Sequence, residues 1–336
     1  MIRVATALGL TVLGLLIVVA GAWGAAALAV SGPASEAARL ALAAAFGASA
    51  LVASIGLWLR RWRWRLIGVF AGLFAIALAW YFSIEPSNDR DWVTENERLP
   101  WATVEGDAVT LHEIRDFEYR TETDFTPAYY DKRFELSKLQ GVDLVATYWM
   151  GPAIAHIMLS FEFAGGDHVA ISIETRKEKG EGYSTVKGFF RQYELYYVVA
   201  DERDLIRLRT NYRKNPPEQV YVYRIKGSRG DGARRVFMSY IEAINELKTH
   251  PTFYNSLTTN CTTTIWMHSL VNPGHVPFSW KILASGYLPQ YLYEHGRLEE
   301  YGLPFDELQR RSHVNQRAQQ ADQAPDFSRR IREPTP

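Results

Sequence analysis

Three long apolar runs fill the first 84 residues, and they decide where the rest of the chain can go. They span about residues 4–30, 37–59 and 66–84, and the first is interrupted by little except glycine. A hydrocarbon core of about 30 Å takes roughly 20 helical residues, so each run is long enough to cross it. A cleaved signal peptide would account for the first run only. Buried helices of a soluble protein carry a polar stripe, and these runs mostly do not. The expectation is three transmembrane helices.

Orientation follows from the short loops. Arg60, Arg61, Arg63 and Arg65 lie between the second and third runs, and such a cluster marks the cytoplasmic side. Arg3 falls on that side by the same rule. The loop at 31–35, with Gly32 and Pro33, belongs outside. Trp58, Trp62, Trp64, Trp80 and Tyr81 suit the two interfacial aromatic belts. Three crossings from an inside start leave Glu85 outside. A multi-pass protein of the bacterial inner membrane is expected, with its C-terminal part periplasmic, or extracellular in a single-membrane cell.

The charge balance, 37 basic against 37 acidic residues, conceals an asymmetry, because nearly all the acidic residues lie beyond residue 84. It makes no electrostatic case for nucleic acid, which needs a basic face. The region beyond residue 100, about 235 residues, is long enough for one sizeable core or two small ones. Cys261 is the one cysteine, which excludes an intramolecular disulfide. A lone thiol in an oxidising compartment is a liability. Cys261 is therefore weighed as a functional thiol against a small buried hydrophobe.

Residues 85–100, polar with prolines near both ends, read as an exit linker. Residues 103–136 carry a turn at Glu105–Asp107 and read as short strands. Strands are expected at 142–149, 156–163, 168–175, 194–200 and 219–225. Helices come later. Phe237, Tyr240, Ile241, Ile244 and Leu247 predict one over 234–248, a second begins near Cys261, and 285–300 holds a further piece. The tail 318–336 is polar, ends in Pro334 and Pro336, and is expected to be disordered. Strands followed by helices indicate an α+β domain over 101–317, built on an antiparallel sheet.

The stretch Phe253–Trp266, FYNSLTTNCTTTIW, is the most informative. Thr258, Thr259 and Asn260 are helix N-cap residue types, and they precede a run with Ile265, Trp266 and Leu270 at helical spacing. Cys261 then sits in the first turn, where backbone N–H groups and the helix dipole favour a thiolate. Asn260 and Thr262 flank it as supporting candidates.

A thiolate nucleophile usually works with an imidazole. In 156–163 and 168–175 the odd positions are mainly apolar. A hairpin that aligns these faces needs an odd loop, such as Gly165-Gly166-Asp167. The shared even face then carries His156, Ser160, Glu162, His168, Ser172, Glu174 and Arg176. Glu174 lies directly or diagonally across from His156 and can orient its ring, completing a nucleophile, base and orienter set. The competing view is a simply solvated face. His168 sits at the turn end, where surface polarity explains it, and His268 lies on the Cys261 helix two turns on. No HExxH, cysteine cluster, GxGxxG, Walker A loop or GxSxG elbow occurs, so no metal or cofactor is expected.

Four blocks in order, AHIMLSFEF, HVAISIETRKEKGEGY, FFRQYELYYVVADERDLIRLR and FYNSLTTNCTTTIW, resemble the bacterial domain named for the N-terminal periplasmic part of the lipoprotein N-acyltransferase Lnb. The resemblance covers roughly residues 100–320. It implies a circularly permuted papain-like (NlpC-type) fold with histidine early and cysteine late. It also implies Cys261 as nucleophile, His156 as general base, and thiol acyl chemistry near the membrane surface, with Glu174 as third member. This sequence differs in carrying its membrane helices ahead of the domain, with no large membrane part after it.

Three functions follow from these readings. One is a membrane-anchored cysteine acyltransferase or hydrolase acting on a membrane lipid or lipoprotein substrate through a thioester. Another is a peptidoglycan amidase or peptidase acting on cell-wall peptides. The last is a non-catalytic membrane-tethered binding or assembly module. Oligomeric state is not legible in the sequence.

Overall fold

In a computed structural model, residues 2–33 and 35–333 are described. The chain divides into two compact units, Met1–Ser87 with Ser184–Gln192, and Asn88–Tyr183 with Tyr193–Pro336.

The first unit is built on α1 (Ile2–Ser31), α2 (Glu36–Gly56) and α3 (Arg63–Phe82). All three are long and apolar enough to cross a membrane. The second helix ends earlier than its apolar run. The arginine loop gives way to helix at Arg63, whose Nε donates to the Leu57 carbonyl at 2.6 Å. That cation satisfies a carbonyl just past the end of α2. Small residues let α1 and α2 approach closely. A Cβ on Gly21 would fall 2.2 Å from that of Ala50, the small-residue packing that helices use in lipid. Leu8, Leu51, Ile55, Val69 and Ile76 point outward and exposed, as lipid-facing positions must.

The inserted segment Ser184–Gln192 packs on these helices. Phe190 lies buried with Ala27 and Tyr81, and the Ser31 hydroxyl donates to the Phe190 carbonyl. Arg191 Nη1 donates to the carbonyls of Tyr81, Phe82 and Ile84. It thereby satisfies acceptors that the end of α3 leaves without helical partners.

The second unit is a mixed α/β domain. Its strands are β1 (Trp101–Glu105), β2 (Ala108–Arg115), β3 (Glu118–Tyr119), β4 (Phe125–Thr126), β5 (Tyr129–Glu135), β6 (Leu139–Tyr148), β7 (Ala155–Phe163), β8 (Asp167–Arg176), β9 (Glu194–Ala200) and β10 (Gln219–Arg224). The main sheet runs β1-β2-β9-β8-β7-β6-β10, with β5 also on β2. Its ladders are antiparallel except where β2 meets β9. Helices are α4 (Glu202–Arg207), α5 (Asp231–Thr249), α6 (Cys261–Ser269), α7 (Trp280–Leu283), α8 (Leu288–Glu294), α9 (Phe305–Ser312), α10 (Asn315–Gln320) and α11 (Phe327–Arg330).

The β7–β8 hairpin has the expected parity. Phe163 pairs with Asp167 and Met158 with Ser172, so even positions share one face. The loop is Ala164-Gly165-Gly166, one residue earlier than expected, and both glycines take positive φ. Ile157, Leu159, Phe161, Ile171 and Ile173 face α5 and α6 in the larger core.

The even face is not solvated. It lies under α4, α10 and α11, with Met158, Ala170, Leu205, Ala318, Phe327 and Ile331 in a second apolar cluster. Ser160 and Ser172 are wholly buried there.

Two boundary expectations are corrected. Residues 85–100 do not form a free linker throughout, because the chain joins the domain from Asn88 onward. Trp92 is buried with the Arg176 guanidinium 4.2 Å from its ring centre, and Asn96 Nδ2 donates to the Thr175 carbonyl. The tail from Ala318 is not disordered either. Phe327 and Ile331 are fully buried, and Arg332 Nη2 reaches Asp143 at 2.8 Å and Glu202 at 2.6 Å. A polar average concealed four apolar residues spaced to cover a sheet face, and one arginine that neutralises two buried carboxylates. Pro334 and Pro336 lie outside the described residues.

Candidate active site

Asn260 caps α6. Its Oδ1 accepts from the backbone N–H of Thr262 and Thr263, each at 2.9 Å, while Thr263 Oγ1 accepts from the Asn260 N–H at 3.0 Å. This reciprocal box defines where the helix starts. Cys261 is thus its first residue, as its small neighbours predicted. The cap consumes the N–H groups of Thr262 and Thr263. The Cys261 N–H is the helix donor that the cap does not use.

α6 lies against β7, and this brings Cys261 to His156. The thiol is half-buried, with Sγ 3.6 Å from Thr262 Oγ1. Burial pushes the thiol up. The His156 charge and hydrogen bond, the Ile157 N–H and the Thr262 hydroxyl outweigh it, so the thiol lies below its ordinary 9.0.

His156 is buried near the start of β7. Its Nε2 lies 2.6 Å from Ser172 Oγ and 3.1 Å from Glu174 Oε1. With Nε2 so engaged, Nδ1 is the ring nitrogen left for the thiol. Burial opposes the charged ring. Glu174 favours it, Arg209 opposes it and Cys261 favours it again, for a net rise to about 9.

Glu174 stands opposite on β8. Its Oε1 accepts from Ser172 Oγ at 2.7 Å and from Arg209 Nη2 at 3.1 Å. Burial alone would push this carboxyl up, yet His156, Arg209 and Ser172 hold it well below the usual carboxylate range. Arg209 is pinned in turn by Glu218 at 3.1 Å, and Glu218 by Arg213 at 2.8 Å. A line of alternating charge therefore runs from Cys261 to Arg213 and keeps the imidazole oriented.

The structure gathers Cys261, His156, Glu174, Asn260 and Thr262. It leaves out two expected supporters. His168 sits at the other end of the hairpin, opposite Glu162, with Nδ1 3.0 Å from the Gly166 carbonyl. Arg176 points to the chain entering the domain, where it donates to the carbonyls of Asn96 and Glu97 at 2.9 and 2.8 Å. Sharing a face was not sufficient, because the strand separates these residues along its length. His268 packs below, between Tyr197 OH at 2.7 Å and Ser239 Oγ at 2.8 Å, and burial pulls it down to about 4.

Ser172 and Arg209 join the site unpredicted. Ser172 had a signal, its place two residues before Glu174 on the same face. Arg209 had none, lying in an arginine-rich run where several could equally have pointed inward.

Residues 125–286 match the family model of the Lnb N-terminal periplasmic domain. Over that stretch the chain is similar to the Lnb N-terminal periplasmic domain. The matched stretch contains His156, Ser172, Glu174, Arg209 and Cys261. No curated protein and no solved structure matches the chain. With three apolar helices ahead of the Lnb-type domain, this is a membrane-anchored protein with a periplasmic domain.

Proposed function

We propose that the protein is a cysteine acyltransferase or hydrolase of the inner membrane, acting on lipid or lipoprotein-like acyl substrates, with Cys261 as nucleophile, His156 as base and Glu174 as orienter. One observation carries this reading. The sole thiol begins a capped helix beside an imidazole whose far nitrogen is 3.1 Å from a buried carboxylate. A histidine gaining proton affinity while the adjacent thiol loses it favours a thiolate–imidazolium pair. The histidine strand preceding the cysteine helix supports a circularly permuted papain-like arrangement.

The Cys261 proton passes to His156, and the thiolate attacks an ester carbonyl. The Cys261 N–H is the donor at hand for the developing oxyanion. The carbon–oxygen bond breaks, the leaving alkoxide takes the proton from His156, and a thioester remains on Cys261. An amine then attacks, its proton returning through His156, to give an amide, or water attacks to give the free acid. Anchoring beside the bilayer raises the local concentration of lipid donor.

The test is intact-protein mass spectrometry of the full chain after incubation with phospholipid, beside lipid mass spectrometry of lipoproteins from cells with and without the gene. An acyl adduct at Cys261 that His156→Ala abolishes is expected. An absent adduct together with unchanged lipoprotein acylation would overturn the reading. Adduct formation with muropeptides instead would move the activity to the cell wall.

A further inference from the structure

A cavity of about 300 Å³ lies between α6, α5, α8 and the sheet. Its walls include Leu144, Leu159, Val236, Ile265, Trp266 and Leu288. That volume is at the lower end of ligand pockets, and such pockets combine apolar walls with a few placed polar groups.

Three cationic side chains stand among its polar groups and gather at one end. Lys226, Arg235 and Arg297 also line the cavity. The fold holds them together through one turn and one backbone contact. Arg235 Nε donates to Asn272 Oδ1 at 2.8 Å, Arg297 donates to the Gly274 carbonyl, and the Lys226 N–H donates to the Arg297 carbonyl at 2.9 Å. The carboxylate nearest Lys226 is Glu300, at 3.8 Å. At the other end the wall is Thr262, whose Oγ1 is 3.6 Å from Cys261 Sγ.

We propose that this cavity binds a single-chain anionic amphiphile, its head on Lys226, Arg235 and Arg297 and its chain running along α6 toward Thr262. Charge complementarity selects the head, since arginine pairs well with carboxylate or phosphate. The apolar walls select the chain. This site shares Thr262 with the candidate active site, yet binding there stands whether or not Cys261 is acylated.

The test is displacement of dansyl-undecanoic acid from the full chain held in amphipol, carried on a Cys261→Ser background so that no covalent step intervenes. Dodecanoate and dodecyl phosphate are expected to displace the probe saturably. Dodecanol should do so about tenfold more weakly, the loss expected when a charge-assisted pair is removed. Arg235→Glu with Arg297→Glu should erase the preference for the acids, and Val236→Trp should abolish binding of all three. The arginine variants alter exposed side chains, so they remain informative where Val236→Trp fails to fold. The tighter of dodecanoate and dodecyl phosphate supports the site and names the head as carboxylate or phosphate. Absence of saturable binding, equal binding of dodecanol and dodecanoate, or indifference to the arginine reversals would overturn the proposal.

Discussion

Nε2 of His156 and Oε1 of Glu174 face each other at 3.1 Å from adjacent strands, and the same carboxylate oxygen also receives Ser172 and Arg209. One oxygen thus anchors a ring, a hydroxyl and a guanidinium. The ring is left with a single nitrogen for the thiol, and its direction is set by the sheet rather than by a loop.

The first consequence concerns alkylation of Cys261. Iodoacetamide should react with the full chain at a pH below that of a free thiol, because the thiolate is stabilised by His156. His156→Ala should shift the midpoint up by about one unit or more, burial then acting with less opposition. A rate profile against pH decides it, and an unchanged midpoint contradicts the ion-pair account.

Glu174→Gln removes the largest favourable contribution to the charged ring. His156, now raised to about 9, should fall toward its ordinary 6.5. A histidine raised in the fold stabilises it below pH 6.5, and that contribution is lost as pH climbs through about 9. The melting temperature of the parent should therefore decline across that window, and Glu174→Gln should flatten the decline. Thermal melts at both ends of the window provide the comparison.

Arg332→Ala strips the cation from Glu202 and leaves Asp143 with Arg224 alone, and both carboxylates are almost inaccessible to water. Arg332 also holds the buried Glu202 carboxyl far below its usual range. Leaving the buried Glu202 charge uncompensated costs about 3 kcal/mol or more. Urea unfolding of the full chain should show a loss of this order, while Arg330→Ala, on an exposed pair with Asp326, should change stability by less than about 1 kcal/mol.

Gly286 is wedged against the chain that leads into β7. A Cβ there would lie 2.1 Å from the Pro152 carbonyl oxygen. The Gly286 N–H donates to the Ala153 carbonyl at 3.0 Å, and Ser285 brackets Ala155, next to His156. Gly286→Ala must displace that backbone, at about 1–3 kcal/mol. Slower Cys261 alkylation should accompany the loss, since the displaced stretch carries the imidazole. Gly182→Ala, where a Cβ meets nothing within 4 Å, is the matched comparison.

Much of the site was legible because two periodicities are strict. Apolar residues at odd positions of 157–163 and 169–173 align the hairpin, which puts His156 and Glu174 on one face. Asn260 and the threonines marked the start of α6. What escaped has a physical reason. Arg209 is chosen from its neighbours by a tertiary ion pair that leaves no local trace. Arg176 shares the histidine's face, yet alternation does not encode position along a strand. The second cluster, from Val145 to Ile331, is assembled from residues almost two hundred positions apart, and a compositional reading of the tail averaged its few apolar residues away.

The segment from Ser184 to Gln192 has a practical consequence for anyone preparing the periplasmic part alone. The polypeptide passes between its two units three times, at Ser87, at Tyr183 and at Gln192. A fragment begun at Asn88 would still carry Phe190 while lacking Ala27 and Tyr81, which bury it. Such a fragment would display an orphaned greasy loop beside Val186 and Phe189, and poor solubility would report the missing helices rather than a failure of the sheet to fold.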